Sequence, residues 1–223
     1  MKFWRWCQRR WQPKGSNVPI TPKVSPEDLR EMVSSGMARG ASALNMMLES
    51  PVELEIPSLS LMKQHDLVRN PELVGASSVS CIQIGFSGPA AGTAFLAFSP
   101  ASASRLVAIL VRPGTELSGI TGVMTETLSE VGNIFINSVI GTIGNILGQS
   151  FELSIPCYLE GNLRDIIKPE AHPDSLTLLL LVRTRFRAAE CQVDGNMFLI
   201  FNLGGDASSF ITVFDSLPAE SGE

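Results

Sequence analysis

The sequence has few of the residues that build metal sites and redox centres. Its 223 residues include two histidines, His65 and His172, and four cysteines that are far apart and form no CxxC pair. Zinc sites need clustered Cys and His ligands, so a metal-binding protein is not expected. The chain also has no HExxH motif and no pairing of a nucleophile with a base, which argues against a hydrolase of small metabolites.

The sequence also lacks a signal-peptide pattern and any apolar run long enough to cross a membrane. The longest apolar run, Leu176–Val182, has the length of a buried strand. A membrane helix needs roughly 18 to 20 apolar residues. We therefore expect a cytoplasmic protein whose cysteines are reduced thiols.

Acidic residues are missing from the start of the chain and dominate the rest. Residues 1–23 hold six of the 17 basic residues and none of the 22 acidic ones, so the remaining 200 residues carry a net charge of −11. This acidic body argues against nucleic acid as the main partner. The first 14 residues contain all three tryptophans and could bind an anionic membrane or an acidic partner. Because Pro and Gly follow at once, we favour a flexible tail and linker over residues 1–24, and membrane contact by residues 1–14 is not expected.

What the sequence does contain is an internal repeat with a shift of 99 residues. The stretch Leu29–Leu59 aligns without a gap with the stretch that begins at Leu128. This alignment places Glu31 on Glu130 and VELEIP on FELSIP. Both copies have a Glu, then a long helical pattern, then an alternating strand closed by Pro, and this shared order indicates a true repeat.

Each repeat continues with a hairpin pattern and a helix-like end. In the first repeat, SVSCIQIGF and TAFLAF flank a Gly/Pro turn. In the second, SLTLLLLVRTRFRA and NMFLIFNL flank a turn predicted around Asp194 and Gly195. This order predicts an α+β fold in which two pseudo-symmetric repeats share one mostly antiparallel sheet, with the long helices packed on one face.

The expected domain covers residues 25–217. The first repeat is predicted at about 25–112 and the second at about 121–217, and residues 218–223 form an acidic tail.

The long helix of the second repeat carries a polar stripe opposite its apolar one. Steps of three and four place six residues on the polar stripe, namely Glu126, Glu130, Asn133, Asn137, Gly141 and Gly144. The expected buried stripe contains Met124, Leu128, Val131, Phe135, Val139 and Leu147. Gly148 is predicted to end the helix as a C-cap. A polar face is ordinary on a surface helix, so the spacing alone does not identify a functional site.

The segment around Glu130 and Asn133 resembles the ExxN signature of the CheC-type phosphatases of bacterial and archaeal chemotaxis (CheC/CheX/FliY-like). The similarity covers Ser25 to Leu217 and includes the repeat, the order of elements and the strand with Pro after each long helix. It implies that the chain removes the phosphoryl group from the aspartate of a phosphorylated CheY-like response regulator. By the same resemblance, Asn133 would orient the attacking water and Glu130 would pair with the active-site lysine of the regulator.

The resemblance also implies that this chain carries no cofactor of its own. Mg²⁺ and the phosphoaspartate would belong to the partner regulator, and the reaction needs mainly a positioned water and neutralised charge. A CheD-like receptor deamidase is a further partner that the resemblance allows, bound on another surface. Gly141 and Gly144 are expected to let the backbone of the regulator approach, so that Gly144→Leu would weaken regulator binding without unfolding the protein.

The first repeat departs from the family pattern. Glu31 keeps the acid, but Ser34 stands where Asn is expected, and serine cannot present an amide. The Glu31/Ser34 site is therefore predicted to be weak or inactive. In the second repeat Glu126 stands where the family often has Ser or Asp, which leaves its role open.

A second function remains open at the level of sequence. Flagellar switch proteins of the same broad fold bind the phosphorylated regulator without hydrolysing it, so the chain could be a non-catalytic interaction module. The pair of Glu130 and Asn133, which such binders lack, favours the phosphatase.

Overall fold

The computed structural model describes residues 26–55, 57–63, 66, 77–88, 90–111, 120–167 and 178–202. In chain order the elements are α1 (Pro26–Leu48), β1 (Glu53–Leu54), β2 (Ser58–Lys63), β3 (Ser78–Ser87), β4 (Ala91–Phe98), α2 (Pro100–Leu110), α3 (Ile120–Leu147), β5 (Glu152–Leu153), β6 (Cys157–Asn162), α4 (Leu163–Ile167), β7 (Leu178–Ala188) and β8 (Val193–Asn202). The predicted tails at 1–24 and 218–223 lie outside the described residues. The domain and repeat boundaries therefore stay predictions.

One antiparallel sheet forms the centre of the fold. Its strands follow the order β1–β7–β8–β4–β3–β5, with β2 also paired to β7 and β6 also paired to β3. Every strand pair in the described part of the chain is antiparallel. The helices α1, α2 and α3 bury their apolar sides in one cluster with residues from one face of the sheet. The predicted α+β fold, with two pseudo-symmetric repeats sharing one sheet, is confirmed.

The strands that follow each long helix pair with the hairpin of the other repeat. β1 and β2 pair with β7, whereas β5 and β6 pair with β3. Glu53–Leu54 and Glu152–Leu153 are 99 residues apart, and so are Ser58–Lys63 and Cys157–Asn162. Neither repeat completes its own part of the sheet, so we expect the two repeats to fold as one unit.

In each copy a proline lies between the two strands that follow the long helix, because Ser58 directly follows Pro57 and Cys157 directly follows Pro156. In the first copy Leu54 pairs with Phe186 and Ser58 pairs with Arg183. Between these two pairs the crossing segment advances four residues while β7 advances three, so the crossing segment has one extra residue. The second copy has the same excess. Proline has no N–H to give to a ladder, so a bulge at Pro57 lets the strand resume its pairing. The predicted strand ends before the proline, and a second strand that was not predicted begins directly after it.

Both hairpins place a glycine beneath an aromatic ring. Gly92 pairs with Phe86, and Gly195 pairs with Phe186. A Cβ atom on either glycine would lie 2.4 Å from the Cζ atom of the facing ring. Gly195 is therefore an interior residue of β8, and residues 189–192 form the turn that was predicted at this glycine. Glycine is required at position 195 by the Phe186 ring, and not by the turn.

The helices α1 and α3 are antiparallel and approach closely because α1 presents glycines to larger side chains. A Cβ atom on Gly36 would lie 2.9 Å from the backbone oxygen of Val139, and one on Gly40 would lie 3.2 Å from the Phe135 ring. The 99-residue shift places Phe135 at the position of Gly36 and Val139 at the position of Gly40. The contact therefore pairs small residues on one helix with large ones on the other, which fills the space between them.

The predicted apolar stripe of α3 lies in the core. Leu128, Val131, Phe135 and Val139 are fully buried, while Met124 and Leu147 are partly buried against the same cluster.

The opposite face of the sheet is also apolar, and α4 packs against it. Burial raises the pKa of the Cys81 thiol on this face. Cys81 and Cys191 are free thiols, whereas Cys157 is disulfide-bonded. The expectation that all the cysteines are reduced was therefore wrong for Cys157.

The helix α3 ends in a Schellman motif at Gly148, as predicted. Gly148 has a φ of 63°. The N–H of Gln149 donates to the Gly144 carbonyl at 2.9 Å, and the N–H of Gly148 donates to the Asn145 carbonyl at 3.2 Å. These two bonds satisfy carbonyls that a helix end would otherwise leave unpaired. The equivalent residue after α1 is Glu49, whose φ of 50° is costly for a residue with a side chain.

The helix α3 approaches the sheet closely at Gly132. A Cβ atom on Gly132 would lie 2.4 Å from Cγ2 and 2.7 Å from Cβ of Ile82 on β3. Both residues are buried. This helix–sheet distance is possible only because position 132 has no side chain. Gly141 on the same helix is exposed, and no packing atom lies within 4 Å of where its Cβ would be.

We expect Gly132→Ala to lower the free energy of unfolding by about 1–3 kcal/mol, because the added methyl group overpacks against Ile82. Gly141→Ala is the matched control and is expected to raise it by up to about 1 kcal/mol, since alanine is the better helix former and has open space there. Chemical denaturation of both variants measures the two changes. Similar effects at the two positions would contradict the close approach at Gly132.

Candidate functional site

The exposed face of α3 carries the two residues predicted to form the site. Glu130 is exposed and Asn133 is half-buried, and the two lie about one helical turn apart. They flank Gly132, whose inner side contacts the sheet, so the outer side of the same turn faces solvent. Glu126 and Asn137 are exposed on the same stripe, as their spacing predicts.

Asn133 is held by a second amide on this stripe. Nδ2 of Asn137 donates to Oδ1 of Asn133 at 3.0 Å, across one turn of α3. An amide oxygen has two lone pairs and the amide nitrogen has two hydrogens, so this bond uses only part of the capacity of Asn133. The Asn133 amide is thus oriented and can still bind a molecule from the solvent side.

An open groove of about 440 Å³ borders Glu130. The lining residues come from three helices and from the residue after α2, and are Met47, Leu110, Val111, Val123, Glu126, Thr127 and Glu130. The lining is mainly apolar and includes two carboxylates. Met47 and Leu110 belong to the ends of α1 and α2, and Val111 directly follows α2, so the groove exists only where these ends meet α3. The sequence carries no local signal for this meeting, and sequence analysis therefore missed these three residues.

The equivalent surface of the first repeat lies toward the other end of the helix pair. Under the 99-residue shift its residues Glu31, Ser34 and Ala38 correspond to Glu130, Asn133 and Asn137. Glu31 and Ala38 are exposed and Ser34 is half-buried. Because α1 and α3 are antiparallel, Glu31 and Glu130 are separated by about 20 Å along the helices and Ser34 and Asn133 by about 12 Å, at 1.5 Å per residue. Neither Ser34 nor Ala38 has an amide side chain, so the amide–amide bond of α3 has no equivalent here.

Gly144 does not lie on the exposed face, and the prediction that it does was wrong. Gly144 is buried, and a Cβ atom there would lie 2.7 Å from the Gln149 carbonyl oxygen and 3.2 Å from the Phe151 ring. The chain turns back over α3 after the helix ends, so residue 144 must be small for this turn to pack. Gly141 is exposed, as its place on the stripe predicts.

In the part of the chain that the structure describes, no three His, Cys, Asp or Glu side chains lie close enough together to hold a metal ion. No helix within the described ranges is both long and apolar enough to span a membrane.

Comparison with known proteins gives a family profile and a relative that are both named as chemotaxis or CheY-P phosphatases. The family profile "Chemotaxis phosphatase CheX" matches residues 80–177, a range that contains Glu130 and Asn133. A protein of Halobacterium salinarum (strain ATCC 29341 / DSM 671 / R1), provisionally named CheY-P phosphatase CheC1, is 19% identical over 196 residues. This alignment covers 86% of this chain and 95% of the relative.

Solved structures share the fold at low sequence identity. FliY of Thermotoga maritima aligns with a TM-score of 0.61 at 12% identity, over 90% of this chain and all of that chain. CheX of Borrelia burgdorferi, solved in a CheX–CheY–BeF3–Mg²⁺ complex, aligns with a TM-score of 0.52 at 17% identity, over 77% of this chain and 98% of that chain. At these identities the structures show the fold alone. With the profile and the Halobacterium relative, they confirm the resemblance to the CheC/CheX/FliY family.

We expect Gly144→Leu to lower the free energy of unfolding by about 1–3 kcal/mol or more, because the side chain would clash with the turn after α3. Gly141→Leu places the same side chain in open solvent and is expected to leave stability unchanged or slightly raised. Thermal denaturation followed by circular dichroism compares the two. Equal stability of both variants would show that the turn does not pack against residue 144.

Proposed function

We propose that this chain, a relative of the CheC/CheX/FliY family, is a phosphatase for the aspartyl phosphate of a phosphorylated CheY-like response regulator. The proposal rests on one observation: a carboxylate and an amide, Glu130 and Asn133, lie on one exposed helical turn beside an open groove. A pair on an exposed helix face suits a substrate that is itself a folded protein. The name of the Halobacterium relative and the CheY in the Borrelia complex support this choice of partner.

In the proposed reaction Asn133 orients the attacking water. The oxygen of the water bonds to phosphorus, and the bond from phosphorus to the aspartate oxygen of the regulator breaks. Aspartate leaves as a free carboxylate, and the phosphoryl group leaves as inorganic phosphate after the water has lost a proton. No covalent intermediate forms on this chain, because phosphoryl transfer depends mainly on position and charge. An amide suits this role since it both donates and accepts hydrogen bonds.

Glu130 has the docking role in this proposal. Its carboxylate would pair with the active-site lysine of the regulator. The groove supports this role, because the aliphatic stem of a lysine can lie along an apolar wall while its ammonium group reaches the carboxylates of Glu126 and Glu130. Glu126, whose role the sequence left open, would thus take part in docking. Mg²⁺ is expected on the regulator, and this chain is assigned no metal ligands.

A non-catalytic module that binds the regulator is the second candidate. It is favoured by the first repeat, where Ser34 and Ala38 replace both amides and leave Glu31 as a docking residue without a water-orienting partner. A CheD-like deamidase partner stays a prediction from the resemblance, and we assign no surface to it.

The deciding measurement is the decay of a phosphorylated receiver domain from the same organism, followed with and without this protein. We expect the wild type to accelerate the decay. Asn133→Ala is expected to lower the accelerated rate by about 100-fold, the usual effect of removing one positioned polar group. Glu130→Ala is expected to act mainly by raising the protein concentration needed for half of the full effect.

Glu31→Ala is the matched control, because it removes the equivalent carboxylate from the first repeat. We expect it to cost little activity. Equal losses from Glu31→Ala and Glu130→Ala would overturn the assignment of a single active centre. If the wild type binds the phosphorylated domain without accelerating its decay, the chain is a docking module and the phosphatase proposal fails.

A further inference from the structure

Within the polar stripe of α3, the side chain of Asn137 forms a hydrogen bond with the side chain of Asn133. It is exposed, and its Nδ2 donates to Oδ1 of Asn133 at 3.0 Å. The spacing of four residues brings two side chains together on the same helical face. The ExxN pattern ends at Asn133 and does not include this residue.

We infer that Asn137 is a positioning residue that sets the orientation of the Asn133 amide. This inference rests on the proposed function and deepens it by adding a residue to the same site. Asn137 would not touch the phosphoryl group. It would act through Asn133, by selecting which end of the amide faces the attacking water.

The physical reason lies in the freedom of an asparagine side chain. The last torsion of asparagine is broad and nearly two-fold, so an unrestrained amide can present either its oxygen or its nitrogen at a given place. The bond from Asn137 fixes the Oδ1 end toward the C-terminal side of the helix. The two Nδ2 hydrogens and one lone pair of Oδ1 then stay in set directions for the water. Preorganised polar groups of this kind act without reorientation during the reaction.

The first repeat carries an independent observation. Under the 99-residue shift Ser34 corresponds to Asn133, and Ala38 corresponds to Asn137. Ala38 is exposed on α1, as Asn137 is on α3, so burial does not require alanine there. Where the water-orienting amide is missing, the residue that would position it is missing as well. The two positions therefore vary together between the repeats, as expected if one serves the other.

The test uses the full chain and the same decay assay of a phosphorylated receiver domain. At saturating protein, Asn137→Ala is expected to lower the accelerated rate about 3- to 10-fold, the size of effect that one exposed hydrogen bond produces. The protein concentration for half of the full effect should stay unchanged. Asn137→Gln keeps an amide donor on a longer arm and is expected to retain more of the rate than Asn137→Ala. Asn145→Ala, at another exposed asparagine of α3, is the control and should match the wild type.

A double variant separates positioning from other effects. In the Asn133→Ala background, Asn137→Ala should have no further effect, because the group that it positions is gone. Independent effects of the two changes would overturn the inference. So would a shift of the half-effect concentration at an unchanged saturating rate, which would make Asn137 a docking contact. The inference would also be overturned if Asn137→Ala accelerated the decay as much as the wild type does.

The proposed function and this inference fail in different ways. If the wild type does not accelerate decay, or if Asn133→Ala is as fast as the wild type, the proposed function fails and Asn137 has no amide to position for catalysis. If Asn133→Ala is slow and Asn137→Ala equals Asn145→Ala, the proposed function stands and only the role of Asn137 is rejected.

Discussion

The contact between Gly132 of α3 and Ile82 of β3 is the constraint on which the position of the candidate site depends. Because residue 132 has no side chain, the helix lies directly on the sheet. The outer side of the same turn then presents Glu130 and Asn133 to solvent. A side chain at 132 would displace or rotate the helix in a closely packed core, and both polar residues would move with it. The four residues 130–133 thus join a packing role on the inside to the proposed catalytic role on the outside.

The two repeats are alike in their strands and different in their helices. The crossing strands keep the 99-residue spacing and the same bulge, because each must pair with the hairpin of the other repeat. The helices touch each other, and two identical faces would either leave a gap or clash. Glycines on α1 pack against Phe135 and Val139 on α3, so the two helix faces are complementary in shape. Once the helices differ inside, their outer faces are free to differ as well, and only α3 keeps the amide pair.

Periodicity and the repeat were enough to predict much of the fold. The apolar stripe of α3, its end at Gly148 and the shared antiparallel sheet follow from patterns within short segments or between the two copies. Two predictions about glycines failed, because a glycine can be required by a turn or by a neighbouring group that leaves no room for a side chain. Gly195 was taken as a turn residue and lies under the Phe186 ring, and Gly144 was placed on the outer face and lies under the Phe151 ring. Helical spacing gives the direction of a side chain, but it does not show that a later segment folds back over that position.

The sequence by itself determined the α+β class, the repeat and the polar stripe that carries Glu130 and Asn133, because these depend on local spacing and on comparison of the chain with itself. Only the tertiary structure decided what surrounds that stripe. The groove beside Glu130 needs the ends of α1 and α2 to meet α3, and the outward position of the stripe needs the sheet beneath Gly132. Such contacts join residues far apart in the chain, and they arise from packing the whole core, which no short segment encodes.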